Sequence, residues 1–184
     1  YTIIQFPRRG NEAWYWAYAA HPSATAKRMP PVHEGMTVEI REWAGDNFES
    51  WPAVRNGLEK SKVIGCFPVA EIIQNLNPAR PSAPFGLTVS YRGVLEIKKT
   101  GVYRFFVNSE DASFLFIDGF KVCERTGSNV PVTGEVSMQS TGSKLNLAAG
   151  RHPFEIHQVT SENPGASGRC YLLWTQPDTP TWTY

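Results

Sequence analysis

Two apolar runs separated by a short polar segment constrain this chain more than any other feature. Residues 102–107 read VYRFFV and residues 113–117 read SFLFI, and both runs are apolar on two faces. Such runs are typical of central strands in a β-sandwich. Asp118 and Gly119 follow directly and form a strong hairpin signal, because both central residues of a type I′ turn need a positive φ. The pattern predicts paired, buried antiparallel strands.

Shorter patterns along the rest of the chain predict further strands. Residues 36–41 and 87–92 alternate apolar with polar side chains, and apolar runs recur at 144–147, 153–159 and 169–174. The 15 glycines and 14 prolines fall between these runs, as turn residues do in β proteins. We therefore predict an all-β fold, an antiparallel two-sheet β-sandwich with an irregular N-terminal arm. Four side chains are predicted to lie in its core: Tyr103, Phe105, Leu115 and Ile117.

The chain divides into three predicted segments. Residues 1–34 contain several prolines and little pattern, which indicates an N-terminal arm or linker. Residues 35–174 form the predicted sandwich domain, and residues 175–184 a C-terminal tail or linker. The evidence for helices is thin. Aromatic residues alternate with alanine within 12–20, which suits a strand better than a helix, and 70–76 suits one helical turn.

Composition excludes several classes of protein. The chain is 41% hydrophobic and 19% charged with a net charge of +1, which is globular and carries no basic cluster for nucleic acid. No apolar run approaches the ~20 residues that cross a bilayer, so no membrane insertion is expected. Because Tyr1 is not an initiator residue, we expect a mature protein or an excised fragment.

The three cysteines leave two possibilities open. Cys66, Cys123 and Cys170 are too widely spaced for a metal knuckle. They are either three buried thiols or one disulfide with a free thiol. If a disulfide forms, Cys123 with Cys170 is the preferred pair, because both lie on predicted strands.

Motifs of catalysis are largely missing from the sequence. Glycine-rich phosphate loops and the GxSxG elbow do not occur. His152 and His157 lie five residues apart on a predicted strand, so they point to opposite faces and cannot share a metal. Carboxylates that are distant in sequence could still pair for glycoside hydrolysis. We expect that the chain is not an enzyme.

The adjacent acidic residues Glu110 and Asp111 lie in the loop between the two apolar runs. They could be turn residues, because short polar side chains bond backbone amides and tolerate unusual φ values. Alternatively they could begin an oxygen-rich cation site, since calcium takes six to eight oxygen ligands.

The stretch 91–119 resembles the signature of the protective-antigen (fourteen-kilodalton) domain. In that family a G-strand-G-Y-x-F run leads into S-D-D-G-S-x-L-x-I-D-G. Residues 149–156 are similar to the family's A-G-x-Y-P-I-x-I strand, and 170–174 to its closing L-x-L-x-W. Residues 35–40 are similar to its opening strand. The resemblance covers about 35–174.

This resemblance implies a β-sandwich found in yeast adhesins, bacterial glycosidases, surface proteins and a toxin subunit. In its lectin members two consecutive aspartates, joined by a cis peptide, hold calcium together with an asparagine of a second loop. These positions correspond to Glu110, Asp111 and Asn163, which the resemblance implies as metal and sugar ligands. The chain departs from the pattern at Glu110, one methylene longer than aspartate, and at Ala112, where glycine is common.

The resemblance favours a non-catalytic carbohydrate-binding module of a secreted or cell-surface protein, with calcium as its cofactor. Its partner would be a carbohydrate or glycoconjugate. Aromatic side chains are further candidates for sugar contact, above all Trp51, with Trp43 and Trp182. Two other hypotheses stay open. One is a structural or protein–protein interaction spacer without the cation site, and the other is an accessory domain of a glycoside hydrolase.

Overall fold

A computed structural model describes residues 2–6, 15–19, 35–70, 72, 86–130, 143–160 and 169–183. The chain forms two compact units, Tyr1–His33 and Glu34–Tyr184. In the first unit, β1 (Thr2–Phe6) pairs antiparallel with β2 (Tyr15–Ala19). The aromatic–alanine alternation therefore belongs to a strand, as its spacing predicted.

The second unit is a two-sheet antiparallel sandwich, which confirms the predicted fold class. Its elements in chain order are β3 (Met36–Glu42), α1 (Trp51–Lys60), β4 (Lys62–Val69), β5 (Leu87–Ile97), β6 (Gly101–Ser109), β7 (Ala112–Ile117), β8 (Phe120–Arg125), β9 (Ser143–Leu147), β10 (Gly150–Thr160), β11 (Cys170–Gln176) and β12 (Thr179–Thr183). One sheet has six strands in the order β4-β3-β5-β10-β7-β8, and the other has four in the order β12-β11-β6-β9. In the part of the chain that is described, no helix is long and apolar enough to cross a membrane.

The main core lies between the two sheets and takes every second side chain of the central strands. The four side chains predicted for it are confirmed, with exposed fractions of 3% or less. Trp174 is partly buried, packs against this core and stacks on Tyr103 with ring centroids 5.8 Å apart. The hairpin signal is confirmed as well, because Asp118 and Gly119 have φ values of 53° and 80°.

Helix α1 was not predicted from the sequence. It begins after Ser50, which has an extended backbone, and Pro52 lies in its first turn. Proline suits that position because its missing N–H has no acceptor there. Val54 and Leu58 face a second apolar cluster on the outer face of the six-stranded sheet, the face turned away from the main core. This cluster also contains Ala112, Phe114 and Val159. The predicted helical turn at 70–76 lies almost entirely outside the described residues.

A strand lies in the segment that was predicted as a C-terminal tail or linker. The predicted tail 175–184 contains β12, which pairs with β11 and places Thr183 opposite Trp174. A turn at Pro177 and Asp178 allows this return of the chain. Of the two possibilities left open for the cysteines, the structure has three free thiols, two of them buried and one partly buried.

Candidate functional site

The loop of Glu110 and Asp111 crosses from one sheet to the other at one end of the sandwich. Strand β6 ends at Ser109 in the four-stranded sheet, and β7 begins at Ala112 in the six-stranded sheet. Asp111 is 4% exposed and has a φ of 55°, a left-handed conformation that aspartate tolerates better than most residues. Peptide bonds among the described residues are all trans, so the chain turns here through Asp111 and not through a cis bond.

The connection 161–168 joins β10 of the six-stranded sheet to β11 of the four-stranded sheet, and the described residues before and after it lie beside this loop. Before it, Val159 of β10 lies opposite Ala112, and after it, Cys170 of β11 lies opposite Ser109. The Glu110 N–H donates to the carbonyl oxygen of Arg169 at 2.9 Å. Both ends of the connection therefore flank the acidic loop. Asn163, the third predicted ligand, lies outside the described residues.

A third segment, 126–130, packs on the other side of the loop through residues that the sequence analysis missed. The Asp111 N–H donates to the carbonyl oxygen of Asn129 at 2.9 Å. The Arg125 guanidinium donates to Asn108 Oδ1 at 2.9 Å and to Asn129 Oδ1 at 3.2 Å. The run T-G-S-N at 126–129 places turn residues directly after a strand, and this pattern could have indicated the segment. Arg125 thus occupies two amide oxygens that lie close to the acidic pair.

The donor set fits calcium in part. Adjacent carboxylates are the hard oxygen ligands that calcium prefers, but two residues supply fewer than the six to eight oxygens it takes. No group of three or more His, Cys, Asp or Glu side chains suited to a metal occurs within the described ranges. Further ligands would have to come from water, backbone carbonyls and the 161–168 connection.

Trp51 lies elsewhere, at the start of α1 over the outer face of the six-stranded sheet. Its ring centroid is 4.7 Å from that of Phe116, 5.4 Å from Phe114 and 4.8 Å from His157. Phe114 is three residues from Asp111, so at ~3.3 Å per residue it lies about 10 Å along the strand. The structure does not bring Trp51 to the acidic loop.

Trp51 lines a cleft of about 290 Å³ between α1 and the sheet, which we term the outer-face cleft. Its floor carries a chain of ion pairs. Arg92 Nε donates to Glu155 Oε2 at 3.1 Å, and Arg92 Nη1 lies 3.7 Å from Glu39 Oε1. Glu155 Oε2 is also 3.3 Å from His157 Nε2. The hydrogen bond from His157 and the charge of Arg92 lower the pKa of Glu155 to about 2, against the effect of its partial burial.

Comparisons with known proteins agree with this architecture. The sequence profile of the PA14 domain matches residues 75–181, more than half of the chain. The PA14 domain of the MpAFP antifreeze protein has a TM-score of 0.61 at 13% identity, over 86% of this chain and 91% of that one. A structure described as the PA14 sugar-binding domain from an RTX adhesin has a TM-score of 0.58 at 18% identity, over 82% and 93%.

Two further solved structures share the fold. The epithelial adhesin 9 A domain from Candida glabrata, in complex with Galβ1-4GlcNAc, has a TM-score of 0.57 at 14% identity, over 85% of this chain and 89% of that one. An anti-sigma factor domain-containing protein has a TM-score of 0.60 at 13% identity, over 82% of this chain, which spans only 46% of its length. No curated protein sequence matches the chain. Because the family profile matches more than half of the sequence, and the chain folds as a two-sheet sandwich, this chain belongs to the PA14 domain family.

Proposed function

We propose that this domain is a non-catalytic carbohydrate-binding module of a secreted or cell-surface protein. One observation carries the proposal: a loop with adjacent carboxylates crosses between the sheets at one end, and the ends of β10 and β11 that flank 161–168 lie beside it. Membership of the PA14 family supports it, as does the likeness of its fold to domains described as sugar-binding.

Calcium is the proposed cofactor at this end of the sandwich, held by Glu110, Asp111 and Asn163. A bound calcium ion supplies a positive centre that accepts sugar hydroxyls as ligands. The carboxylates would neutralise the ion, and the chain turns sharply at the left-handed Asp111, the second acidic residue. The hydrogen bond from Glu110 to Arg169 supports a contribution from the neighbouring connection.

One carboxyl group of the outer-face cleft, that of Glu155, is unsuited to act as the acid of glycoside hydrolysis. Glycoside hydrolysis needs one carboxyl group that stays protonated near neutral pH, which requires a raised pKa. The pKa of Glu155 is lowered to about 2, so this group is an anion at pH 7 and cannot donate a proton.

A second candidate function is a spacer or protein–protein interaction module without a cation site. The Arg125 guanidinium favours it, because this cation already binds the amide oxygens of Asn108 and Asn129 beside the loop. Glu110 in the place of an aspartate favours it too.

A glycan array probed with and without calcium distinguishes the two functions. The carbohydrate-binding proposal expects stronger retention of particular glycans in millimolar calcium than in EDTA, with Asp111→Asn lowering the retention in calcium to the level in EDTA. Equal, negligible retention in both buffers, with no binding to any glycan, would favour the spacer.

A further inference from the structure

We propose that the outer-face cleft is a second saccharide site, which takes one uncharged pyranose ring without calcium. The class of ligand rests on the proposed carbohydrate-binding function, whereas the position of the site does not depend on the acidic loop. The cleft volume of about 290 Å³ lies just below the range of about 300–1,000 Å³ for drug-sized ligands, which suits a single ring.

Arg41 holds the two walls of the cleft at a fixed separation. Its Nε donates to Glu39 Oε1 on the same strand at 2.8 Å. Its Nη1 donates to the carbonyl oxygens of Leu58 at 3.1 Å and Ser61 at 3.0 Å, at the end of α1. The side chain therefore joins β3 to the C-terminal end of the helix, where few carbonyls have a partner within the helix. A ligand would meet a cleft that is already formed, so little ordering is needed on binding.

The floor of the cleft offers donors and acceptors in alternation. Glu39, Arg92 and Glu155 come from three neighbouring strands, where Arg92 lies opposite Glu155 and Glu39 opposite Ser90. A guanidinium has five N–H donors and a carboxylate about four acceptor sites, more than the contacts described here use. Glu155 keeps 45% of its side chain exposed and Arg92 keeps 36%, so both can reach a ligand. Vicinal hydroxyl groups of a sugar donate and accept together, which matches planar groups of this kind.

The helix side supplies an ordered aromatic ring. Trp51 is partly buried and is held by the rings of Phe114, Phe116 and His157. Its position is fixed before a ligand binds, so stacking costs little side-chain entropy. The C–H face of a pyranose packs against such a ring, and its hydroxyl edge can then turn toward the charged floor.

The charges of the cleft favour an uncharged ligand. Three carboxylates and three guanidinium groups line it and balance each other: Glu39, Glu59, Glu155, Arg41, Arg55 and Arg92. A uronic acid or an amino sugar would bring a further charge, which would have no opposite charge in excess to pair with. Burying that charge would carry a desolvation cost. A neutral sugar exchanges hydrogen bonds with water without that cost.

The test is a titration of the protein in EDTA, by NMR or calorimetry, with β-lactose and Galβ1-4GlcNAc as neutral probes. Galacturonic acid and galactosamine serve as charged probes. We expect both neutral probes to bind the wild type, and Trp51→Ala and Glu155→Ala each to weaken binding about tenfold. Phe120→Ala is the matched aromatic control, since this ring is 76% exposed at the β7–β8 turn. Thermal melting of each variant checks its fold, and Glu155→Ala alone decides if Trp51→Ala does not fold.

Three results would overturn the proposal: no binding of a neutral probe in EDTA, unchanged binding by the two folded variants, or a preference for a charged probe. Binding only in calcium, lost in Asp111→Asn, would overturn the second site and leave the proposed function standing. Binding in EDTA that is lost in Glu155→Ala and kept in Asp111→Asn would establish the cleft, whatever the fate of the calcium site.

Discussion

The backbone N–H of Glu110 donates to the carbonyl oxygen of Arg169 at 2.9 Å, which ties the acidic loop to the end of the 161–168 connection. The Gln158 side chain donates to the same carbonyl at 2.9 Å from the strand that precedes this connection. Two segments distant in sequence are thereby held side by side. A loop on a rigid sandwich is a frequent site for ligand binding, because the scaffold fixes the backbone and leaves the loop residues variable.

Asp111→Asn is expected to remove stabilisation by calcium. An ion that binds only the folded state adds about 2.7 kcal/mol to the free energy of unfolding at a hundredfold excess over its Kd. Asparagine removes the charge of Asp111 and still tolerates the φ of 55°. Urea denaturation with and without millimolar calcium should show the gain in the wild type and little of it in the variant.

Asp111→Ala is less suitable than Asp111→Asn for testing the calcium site, because Asp111 is buried and has a left-handed backbone. Alanine in that conformation costs roughly 1–2 kcal/mol. We therefore expect the alanine variant to lose stability in EDTA as well. If calcium leaves the stability of the wild type unchanged, calcium is not a cofactor of the domain.

The strands were accessible from sequence because their signals are local. The run around Leu115 buries both faces, and the run that contains Tyr103 does so from Phe105 onward, although Val102 is exposed. The Asp118–Gly119 pair needs only its own positive φ values. Helix α1 was not predicted because Trp51 and Pro52 at its start are typical of a loop. Val54 and Leu58, which face the sheet, are too few to give a clear helical pattern.

The contacts of the acidic loop could not be predicted in the same way. The adjacent carboxylates stand out as a pair in the sequence. Arg125 does not, because its role depends on a guanidinium that reaches Asn108 across 17 positions. The outer-face cleft is similarly non-local, since Glu39, Arg92 and Glu155 meet only through the pairing of three strands.

His152 is expected to make stability depend on pH. Its Nδ1 lies 2.7 Å from Asp118 Oδ2 and its Nε2 lies 2.9 Å from the carbonyl oxygen of Ala148. The hydrogen bond to Asp118 raises the pKa of His152 above its ordinary value, with a smaller contribution from Ala148. Since the folded state holds the proton more tightly, the stabilisation is fully present below the ordinary pKa and is lost as pH rises through the raised one.

The measurement is the melting temperature between pH 5 and 8, for the wild type and for Asp118→Asn. Asparagine keeps the left-handed turn at 118 and removes the charge that favours protonated His152. The variant should show a flatter profile over this range. Identical profiles would mean that the pair contributes nothing to the pH dependence.

The thiols are expected to differ sharply in reactivity. Burial raises the pKa of Cys123 and of Cys170 to about 12, so neither forms an appreciable thiolate at pH 8. Cys66 is only half-buried, although burial raises its pKa as well. An aromatic disulfide reagent should modify at most Cys66 in the folded protein and three thiols in denaturant. Fewer than three in denaturant would reveal a disulfide.

Arg125→Met is expected to loosen the segment that supports the acidic loop. The guanidinium donates to Asn108 Oδ1 at 2.9 Å, Ser109 O at 3.3 Å, Asn129 Oδ1 at 3.2 Å and Val130 O at 3.1 Å. Methionine keeps the length of the aliphatic stem and removes every donor. Hydrogen bonds from a charged donor contribute about 1.5–3 kcal/mol. Because the guanidinium is partly solvated, we expect the free energy of unfolding to fall by only about 2 kcal/mol in the variant.

Amide hydrogen exchange tests where this loss acts. We expect the amide of Asp111, which donates to Asn129 O, to exchange faster in Arg125→Met, while the hairpin amides of β7 and β8 near Phe120 keep their protection. Lys121→Met is the matched control, because its ammonium pairs only with Glu124 at a partly exposed position, among the contacts described here. A uniform rise in exchange through both sheets would mean that Arg125 supports global stability and not the loop. Faster exchange at Asp111 alone, with the sandwich unchanged, would identify Arg125 as the residue that positions the acidic pair.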